Sequence, residues 1–499
     1  MNDIVDNENS FLREQTLLVS RQAIFLLCGL FIETIIKYGY NILLGHTLGA
    51  EILGRYFLGL TVVTFIATLG CFGVDGGIIR YVSQYLGRNE TNKAKAIFYN
   101  GLKFAVSVGI GLAILFFTLD KIGFLSRLPV LKEIRVFYGA IPFLIVFSVI
   151  ISLFQGYKKI QYQVYTQSLI RPLLNLIIFL FLLRMGCQLS AAIWSFVMAV
   201  ILADFAALFF LKRGFGIFSG EADWGYDRKG FMHQSFWIWV ILIANLMMRW
   251  SDTVALSIFR NYHEVGIYGV AVRVSAVFEL FFTPIALIFG PVVSHLYDQG
   301  KNDEIEKLLK TVSRWLFSII LPLFALIAFN ARAIMGVFGP EFKDGSSILI
   351  ILSCIFLLTS FTGAFNVSLL TMTGKVRLFS FNILFFAALN IILNLIFVPA
   401  YGMFAAASIS LACFLLLSLL TILQVHRLYR IHPYSLDLLR PLLALAASGA
   451  AVYLIAGIPA VNAAVKSVIF IALYFITLGC RPEDKLVFNM VKERLLKNK

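Results

Sequence analysis

Apolar residues run along this chain in long blocks of about twenty, divided by short polar or glycine-containing stretches. That is the length a helix needs to cross ~30 Å of hydrocarbon. The pattern predicts fourteen transmembrane helices, and the expected class is an all-α integral membrane protein. The first seven lie at 21–44, 56–79, 101–119, 135–156, 170–184, 190–211 and 235–259. The rest lie at 265–290, 315–335, 347–370, 378–398, 402–424, 441–457 and 461–480. The first block is long, carries charges and lacks an A-x-A site, so it reads as a membrane helix and not a cleaved leader.

Composition agrees: 60% of the 499 residues are hydrophobic, 14% are charged, and the mean hydropathy is +0.87. A water-soluble protein of this size could not cover its surface with so few polar residues. The +15 net charge follows from topology. With the N-terminus cytoplasmic, 29 of the 42 Lys and Arg fall on cytoplasmic loops and tails and 10 outside. Lys37, Arg249 and Arg273 remain at depth. The positive-inside bias puts both termini in the cytoplasm of a cell membrane and explains the charge without nucleic acid. The six cysteines form no C-x-x-C pair and read as small hydrophobes.

The chain repeats itself. Shifted by 212 residues, "KYGYNILLGHTLGAEILGRY" (37–56) lies on "RWSDTVALSIFRNYHEVGIY" (249–268) without a gap, matching Gly54 to Gly266 and Tyr56 to Tyr268. The loop "VSQYLGRNETNKAKAIF" matches "VSHLYDQGKNDEIEKLL" at a shift of 211, and "LNLI" recurs at 174–177 and 393–396. Each copy of "LNLI" is followed by a glycine and then by an alanine pair with a serine. Two six-helix halves are expected, 1–215 and 216–424, with two helices and a basic tail appended over 425–499. Parallel repeats of this kind recur in carriers that rock between inward and outward states. The polar loops 80–103 and 295–314 are expected to form short helices flat on the cytoplasmic surface.

Charges inside apolar blocks are the candidate chemistry, because ionisable groups at membrane depth usually face a bundle interior or water. Lys37, Arg249 and Arg273 each lie roughly 10–14 Å below the outer surface at about 1.5 Å per residue. One depth and two repeat-equivalent positions suggest a shared cationic cavity. Local neutralisation is the other reading, compatible with the first: Glu33 and Lys37 are i, i+4 neighbours, and Arg249 and Asp252 are i, i+3 neighbours. Asp75 lies near the cytoplasmic mouth, where it would gate the cavity or pair with Arg80. Glu279 sits near mid-depth, as a coupling-ion ligand or a packed, hydrogen-bonded carboxyl. The pattern assigns no role to Asp204.

The chemistry of enzymes is absent. No G-x-x-x-x-G-K-[ST] occurs, "MTGKV" lacking its first glycine, and there is no H-E-x-x-H. The longest polar stretch, 212–234, is too short for a catalytic domain. Neither catalysis nor a cofactor is expected.

Several segments resemble the polysaccharide-transporter branch of the multidrug/oligosaccharidyl-lipid/polysaccharide (MOP) flippase superfamily. They are "LGAEILGRYFLGL" (48–60), "FGVDGGIIRYVSQYLGRNETNKAKAIF" (72–98), "FQGYKKIQYQVYTQSLIRPLLNLI" (154–177), "VFGPEFKDGSSILIIL" (337–352) and "TGKVRLFSFNILFFAALNIILNLIFVPAYGMFAAA" (373–407). The resemblance covers most of 15–424. It implies a carrier moving isoprenoid-pyrophosphate-linked oligosaccharide from the cytoplasmic to the outer leaflet for cell-surface glycan synthesis. The first and seventh helices would line its cavity, where Lys37 and Arg249 fall. The implied partners are the lipid-linked oligosaccharide, membrane lipid and a coupling proton or sodium ion. A monomer near glycosyltransferases or a polymerase is expected. The alternative on the same fold is an ion-coupled multidrug antiporter, which would want an acidic cavity for organic cations.

Overall fold

The computed structural model describes residues 2–123, 135–215, 221–362, 365–456 and 463–478, with most side chains from Phe25 onward. The described residues hold helices and no strand. In chain order the helices are α1 (Asn2–Cys71), α2 (Val74–Gly87), α3 (Thr91–Lys121), α4 (Ile141–Gly156) and α5 (Ile160–Arg184). Next come α6 (Leu189–Phe215), α7 (Arg228–Phe259), α8 (Tyr262–Ser275), α9 (Glu279–Asp298) and α10 (Asn302–Gly336). The last are α11 (Ser346–Phe361), α12 (Asn366–Met372), α13 (Val376–Tyr429), α14 (Leu439–Ala456) and α15 (Ala463–Leu478). Ten segments among the described residues are long and apolar enough to span a membrane. Val376–Tyr429 holds two of the expected spans, and Phe25–Cys71 holds most of two, the second of which runs on past a break at Phe72–Gly73 into α2. Large side chains such as Phe329, Phe205, Phe381 and Ile476 stand exposed on the outside, as lipid-facing surfaces require.

The two long helices are each broken at one glycine. Gly49 in α1 has φ 70° and ψ 172°, and Gly402 in α13 has φ 56° and ψ −140°. Both lie in the left-handed half of the map, which a Cβ disfavours. Each break is followed by a backbone N–H that a distant carboxylate accepts: Ala50 N–H to Glu341 at 2.7 Å, and Met403 N–H to Glu264 at 3.2 Å. The new arm thus starts with a negative group at its positive end, the favourable sense for the helix dipole.

Positions related by the repeat carry the same backbone events. A shift of 212 takes Gly49 to Asn261, the second of the two residues between α7 and α8, which is also non-helical at φ −108° and ψ 161°. A shift of 211 takes Asn89, between α2 and α3, to Gly300, between α9 and α10, at φ 61° and 71°. The arms that follow the first pair of breaks cross at equivalent glycines. A Cβ on Gly54 would strike the Tyr262 carbonyl oxygen, and one on Gly266 would strike the Ala50 carbonyl oxygen. Ala50 and Tyr262 are themselves related by 212. The contact is reciprocal, the mark of a local two-fold relation.

One expectation fails here. Residues 80–103 and 295–314 do not form separate surface helices. The polar stretches are the ends of α2 and α9 and the starts of α3 and α10, joined by tight turns at Arg88–Glu90 and at 299–301. Amphipathic residues next to an apolar block simply extend the helix, because a continuous helix keeps its backbone hydrogen bonds.

The segment entering α7 is tied to the first half. Asp223 N–H donates to the Asn92 carbonyl at 3.1 Å, Asn100 Nδ2 to Tyr226 Oη at 2.7 Å, and Asp227 N–H to Tyr85 Oη at 3.1 Å. At the far end of the chain, Tyr474 of α15 donates to the Ser318 carbonyl of α10 at 2.9 Å.

Candidate functional site

A cavity of about 520 Å³ opens among α1, α5, α6, α8 and α9. Its wall includes Glu33, Lys37, Tyr38, Asn41, Gln167, Arg171, Asn175, Arg273 and Glu279. Helix α5 reaches it through a wide π turn over Val164–Ile170, a distortion common where a helix is re-aimed at a functional site. Beyond the turn, Gln167, Arg171 and Asn175 recur at intervals of four and so share one face. Tyr38 spans the halves, donating to the carbonyls of Arg273 at 2.8 Å and Val274 at 2.7 Å.

The cations of this site fall into two kinds. Lys37 is paired with Glu33 at 2.5 Å along α1. Arg249 is paired with Glu279 between α7 and α9. It meets the cavity through that carboxylate, since Arg249 itself does not line the wall. Arg171 and Arg273 make no ion pair among the described residues. Both rest on aromatic faces instead. Arg171 stands 5.5 Å from the Phe147 ring and 5.3 Å from Phe196. Arg273 lies 3.3 Å from the centroid of Phe57 and donates to the Gly269 carbonyl at 2.9 Å. Stacking holds a guanidinium by its face and leaves its edge N–H groups available.

Asp252 is not the partner of Arg249. It is buried within the second half, accepting from Tyr268 Oη at 2.5 Å, Ser410 Oγ at 2.7 Å and Asn394 Nδ2 at 2.8 Å. Three well-placed donors outcompete a neighbour one turn away. Asn390 extends the cluster, accepting from Ser251 Oγ at 2.5 Å and donating to Ser410 Oγ at 3.2 Å. The first half repeats this arrangement with a phenol where the carboxylate stands. Tyr40 occupies the place of Asp252, with Tyr56, Asn175 and Ser195 in the places of Tyr268, Asn394 and Ser410, and Tyr40 Oη is 3.4 Å from Ser195 Oγ.

Two further pairings differ from expectation. Asp75 accepts from Ser148 Oγ at 3.0 Å and from Gly76 N–H at 2.8 Å, and Arg80 is exposed on another face of α2. Five residues along a helix is a turn of about 140°, too far round for a pair. Glu279, expected to hold a coupling ion or to be packed and hydrogen-bonded, has its cation in Arg249 across the helix interface.

Arg171 escaped the sequence reading. The hydropathy pattern starts the span at 170, whereas the helix begins at Ile160. The glutamines at 161, 163 and 167 lowered the local hydropathy and hid a full turn and more of membrane helix. The signal that would have found it is their spacing, which places Gln167, Arg171 and Asn175 on one stripe. The Asp252 cluster had a similar signal, the asparagines of "LNIILN" four residues apart.

The family model for polysaccharide biosynthesis proteins matches residues 19–297, more than half of the chain. The chain belongs to the polysaccharide biosynthesis protein family. Among its relatives is the uncharacterized membrane protein MJ1068 of Methanocaldococcus jannaschii, 20% identical over 76% of this chain and 78% of that one. The probable low-salt glycan biosynthesis flippase Agl15 of Haloferax volcanii is 30% identical over 37% of this chain and 39% of its own length. This family member therefore matches well under half of that flippase. Among solved structures, the lipid II flippase MurJ in an inward closed conformation superposes with TM-score 0.72 at 15% identity, covering 91% of this chain and 97% of that one. An inward-facing multidrug MATE transporter of the MOP superfamily gives 0.67 at 16% identity, over 80% and 94%. At such identities the likeness is one of fold. It places this member of the polysaccharide biosynthesis family in the MOP architecture as a multi-pass membrane protein.

Proposed function

We propose that this chain is a flippase for a diphosphate-bearing, lipid-linked glycan, carrying the headgroup from the cytoplasmic to the outer leaflet by alternating access. The observation that carries this reading is the pair Arg171 and Arg273, two guanidiniums on one cavity wall with no carboxylate bound to either among the described residues. Guanidinium forks match phosphate oxygens two at a time, and stacking on Phe57, Phe147 and Phe196 holds them in place for it. A sugar headgroup stripped of water loses roughly 2–7 kcal/mol for each hydroxyl left unpartnered. Gln167, Asn175, Asn41 and Tyr38 line the same cavity and offer replacement partners. The isoprenoid tail can stay in lipid. An inside-negative potential favours outward movement of negative charge by about 2.3 kcal/mol per charge per 100 mV, so no nucleotide site is needed.

Lys37 and Arg249 take supporting roles in this reading, neutralised by Glu33 and Glu279 until a polyanion competes for them. Residues 1–215 and 216–424 act as the two moving bodies, meeting at the Gly54–Gly266 crossing near the outer side. Both termini lie in the cytoplasm. Asp252 replaces Glu279 and Asp75 as the carboxylate best placed for a coupling proton or sodium ion, because it alone of the three is buried within a cluster of neutral oxygens. An organic-cation antiporter on this fold is disfavoured by the same pair of arginines, which would repel its substrate.

The reading is tested in cells by deleting the gene and weighing the accumulated lipid-linked sugars by mass spectrometry. Accumulation of a complete lipid-diphosphate glycan, relieved by the wild-type gene and not by an Arg171→Gln/Arg273→Gln variant, is expected. Unchanged lipid-linked sugars would contradict it.

A further inference from the structure

A proline inside a membrane helix deprives the carbonyl four residues back of its donor and pushes that turn apart. Pro322 stands inside α10, so the carbonyl it deprives is that of Ser318. In lipid such a carbonyl must find a donor within the protein. This one accepts from Tyr474 Oη at 2.9 Å. Tyr474 belongs to α15, one of the two helices appended after the repeat, and is fully buried. Among the described residues, neither appended helix lines the cavity. Both, however, reach the same turn of α10. Phe317 and Leu321 form one apolar cluster with Leu438, just before α14, and Leu445 within it. The phenol thus stands in for the missing N–H, from outside the helix, at the place where a helix bends.

The far end of α10 makes that bend matter. From Pro322 to Gly336 the helix runs about 21 Å at ~1.5 Å per residue. The chain leaving it docks on the first half. His46 Nε2 donates to the Val337 carbonyl at 2.8 Å, and Ala50 N–H donates to Glu341 at 2.7 Å. Between them, a Cβ on Gly45 would strike the Phe338 carbonyl oxygen. The segment is also fixed to its own half, where Glu341 lies 3.4 Å from His263 and Phe342 is fully buried. It therefore follows the end of α10 as one piece. On this lever, a change of about 10° in the bend carries that end through about 4 Å. Hydrogen bonds do not survive such a displacement. In the proposed orientation these contacts lie on the outer side, next to the Gly54–Gly266 crossing.

We infer that Tyr474 is a positioning residue for transport: by donating to the Ser318 carbonyl it fixes the bend of α10, and through α10 it holds the segment Val337–Glu341 closed on α1. The inference rests on the alternating-access reading and gives the two appended helices their part in it, as a clamp on the outer closure. Without the phenol oxygen, the Ser318 carbonyl must take a donor further along its own helix. The bend then changes, and the outer contact loosens.

Two substitutions isolate the effect. Tyr474→Phe removes the oxygen and keeps the ring. Pro322→Ala restores an N–H four residues from Ser318, and with it the helical hydrogen bond that makes the phenol dispensable. The test is the distance between spin labels at Met185 and Val337 in the full chain, in nanodiscs, without substrate and in a background free of native cysteines. It is measured in the parent, both single variants and the double. Tyr474→Phe is expected to raise the ratio of outer-open to outer-closed molecules about fivefold, the effect of one hydrogen bond between membrane helices. In the Pro322→Ala background the same substitution is expected to change the ratio by less than about twofold, since the two act on one carbonyl. A role in stability alone would lower the unfolding temperature and leave the distances of the folded protein unchanged. Parent distances in Tyr474→Phe, or an equal shift in the two backgrounds, would overturn the inference. The first comparison decides even where Pro322→Ala fails to fold. With no substrate present, the outcome is separate from the diphosphate reading. A shifted distance in a protein that moves no glycan would sink the flippase proposal and leave the clamp standing.

Discussion

Alanine at Gly54 puts a methyl group into the Tyr262 carbonyl oxygen, and alanine at Gly266 does the same to Ala50. Neither obstacle is a side chain that can rotate away. The two helices must move apart, and inserting a methyl group into a packed contact typically costs 1–3 kcal/mol. In lipid, small residues at a crossing supply the close packing that holds helices together, so little else compensates. If the crossing is closed in the inward state and opens in the outward one, the cost falls on the inward state alone. A value of about 2 kcal/mol then shifts the inward-to-outward ratio by about thirtyfold, at 1.4 kcal/mol for each factor of ten. Both methyl groups act on one crossing, so the double variant should shift the ratio by much less than the product of the single effects. The assay is the distance between spin labels at Met185 and Val337, both exposed, in a background without native cysteines. A larger outer-side distance in Gly54→Ala and Gly266→Ala is expected. Unchanged distances in both variants, or strictly additive effects in the double, would refute the reciprocal gate.

Arg171→Lys and Arg273→Lys should each lose most transport despite keeping charge, because lysine has neither the fork nor the flat face; transport rates in vesicles, normalised to protein inserted, check this. The Glu33→Gln/Lys37→Gln pair removes a matched ion pair and should retain more activity than Arg171→Gln alone in the same assay. Asp252→Leu should destabilise the protein by about 3–5 kcal/mol, since it strands three buried donors around an apolar group, whereas Asp252→Asn keeps an acceptor and should cost far less; thermal unfolding of the purified protein separates them. Cysteines introduced at Asn89, within one of the equivalent turns, and at Asn302, just after the other, should resist an impermeant thiol reagent in intact cells and react after permeabilisation; labelling from outside would invert the orientation.

The sequence made the helices and the repeat legible because both are written in periodic, local terms. A block of twenty apolar residues has no other outcome in lipid, and the 212 shift carried Gly49 to Asn261 and Gly54 to Gly266 before any contact was known. Pairings were harder. Glu33–Lys37 was readable, since both partners lie on one helix four residues apart. Arg249–Glu279 was not, because the partners lie on different helices, and neighbours along α7 suggested Asp252 instead. Arg171 was missed for a related reason. Its helix enters through three polar glutamines, of which Gln167 lines the cavity, so the hydropathy that marks a lipid-facing helix is weak on the face that matters. The surroundings of Asp204 give no local sign in the sequence either: it is buried on α6 with neither carboxylate oxygen hydrogen-bonded.

The central claim is tested most directly by reconstituting the protein in vesicles that hold a lipid-diphosphate-linked glycan in the leaflet corresponding to the cytoplasmic face. What is measured is the rate at which the glycan becomes accessible to a hydrolase on the other side. The account predicts transfer well above protein-free vesicles and a loss of at least tenfold in Arg171→Gln/Arg273→Gln. Transfer no faster than in empty vesicles, with uptake of an organic cation such as ethidium by the same preparation, would contradict it.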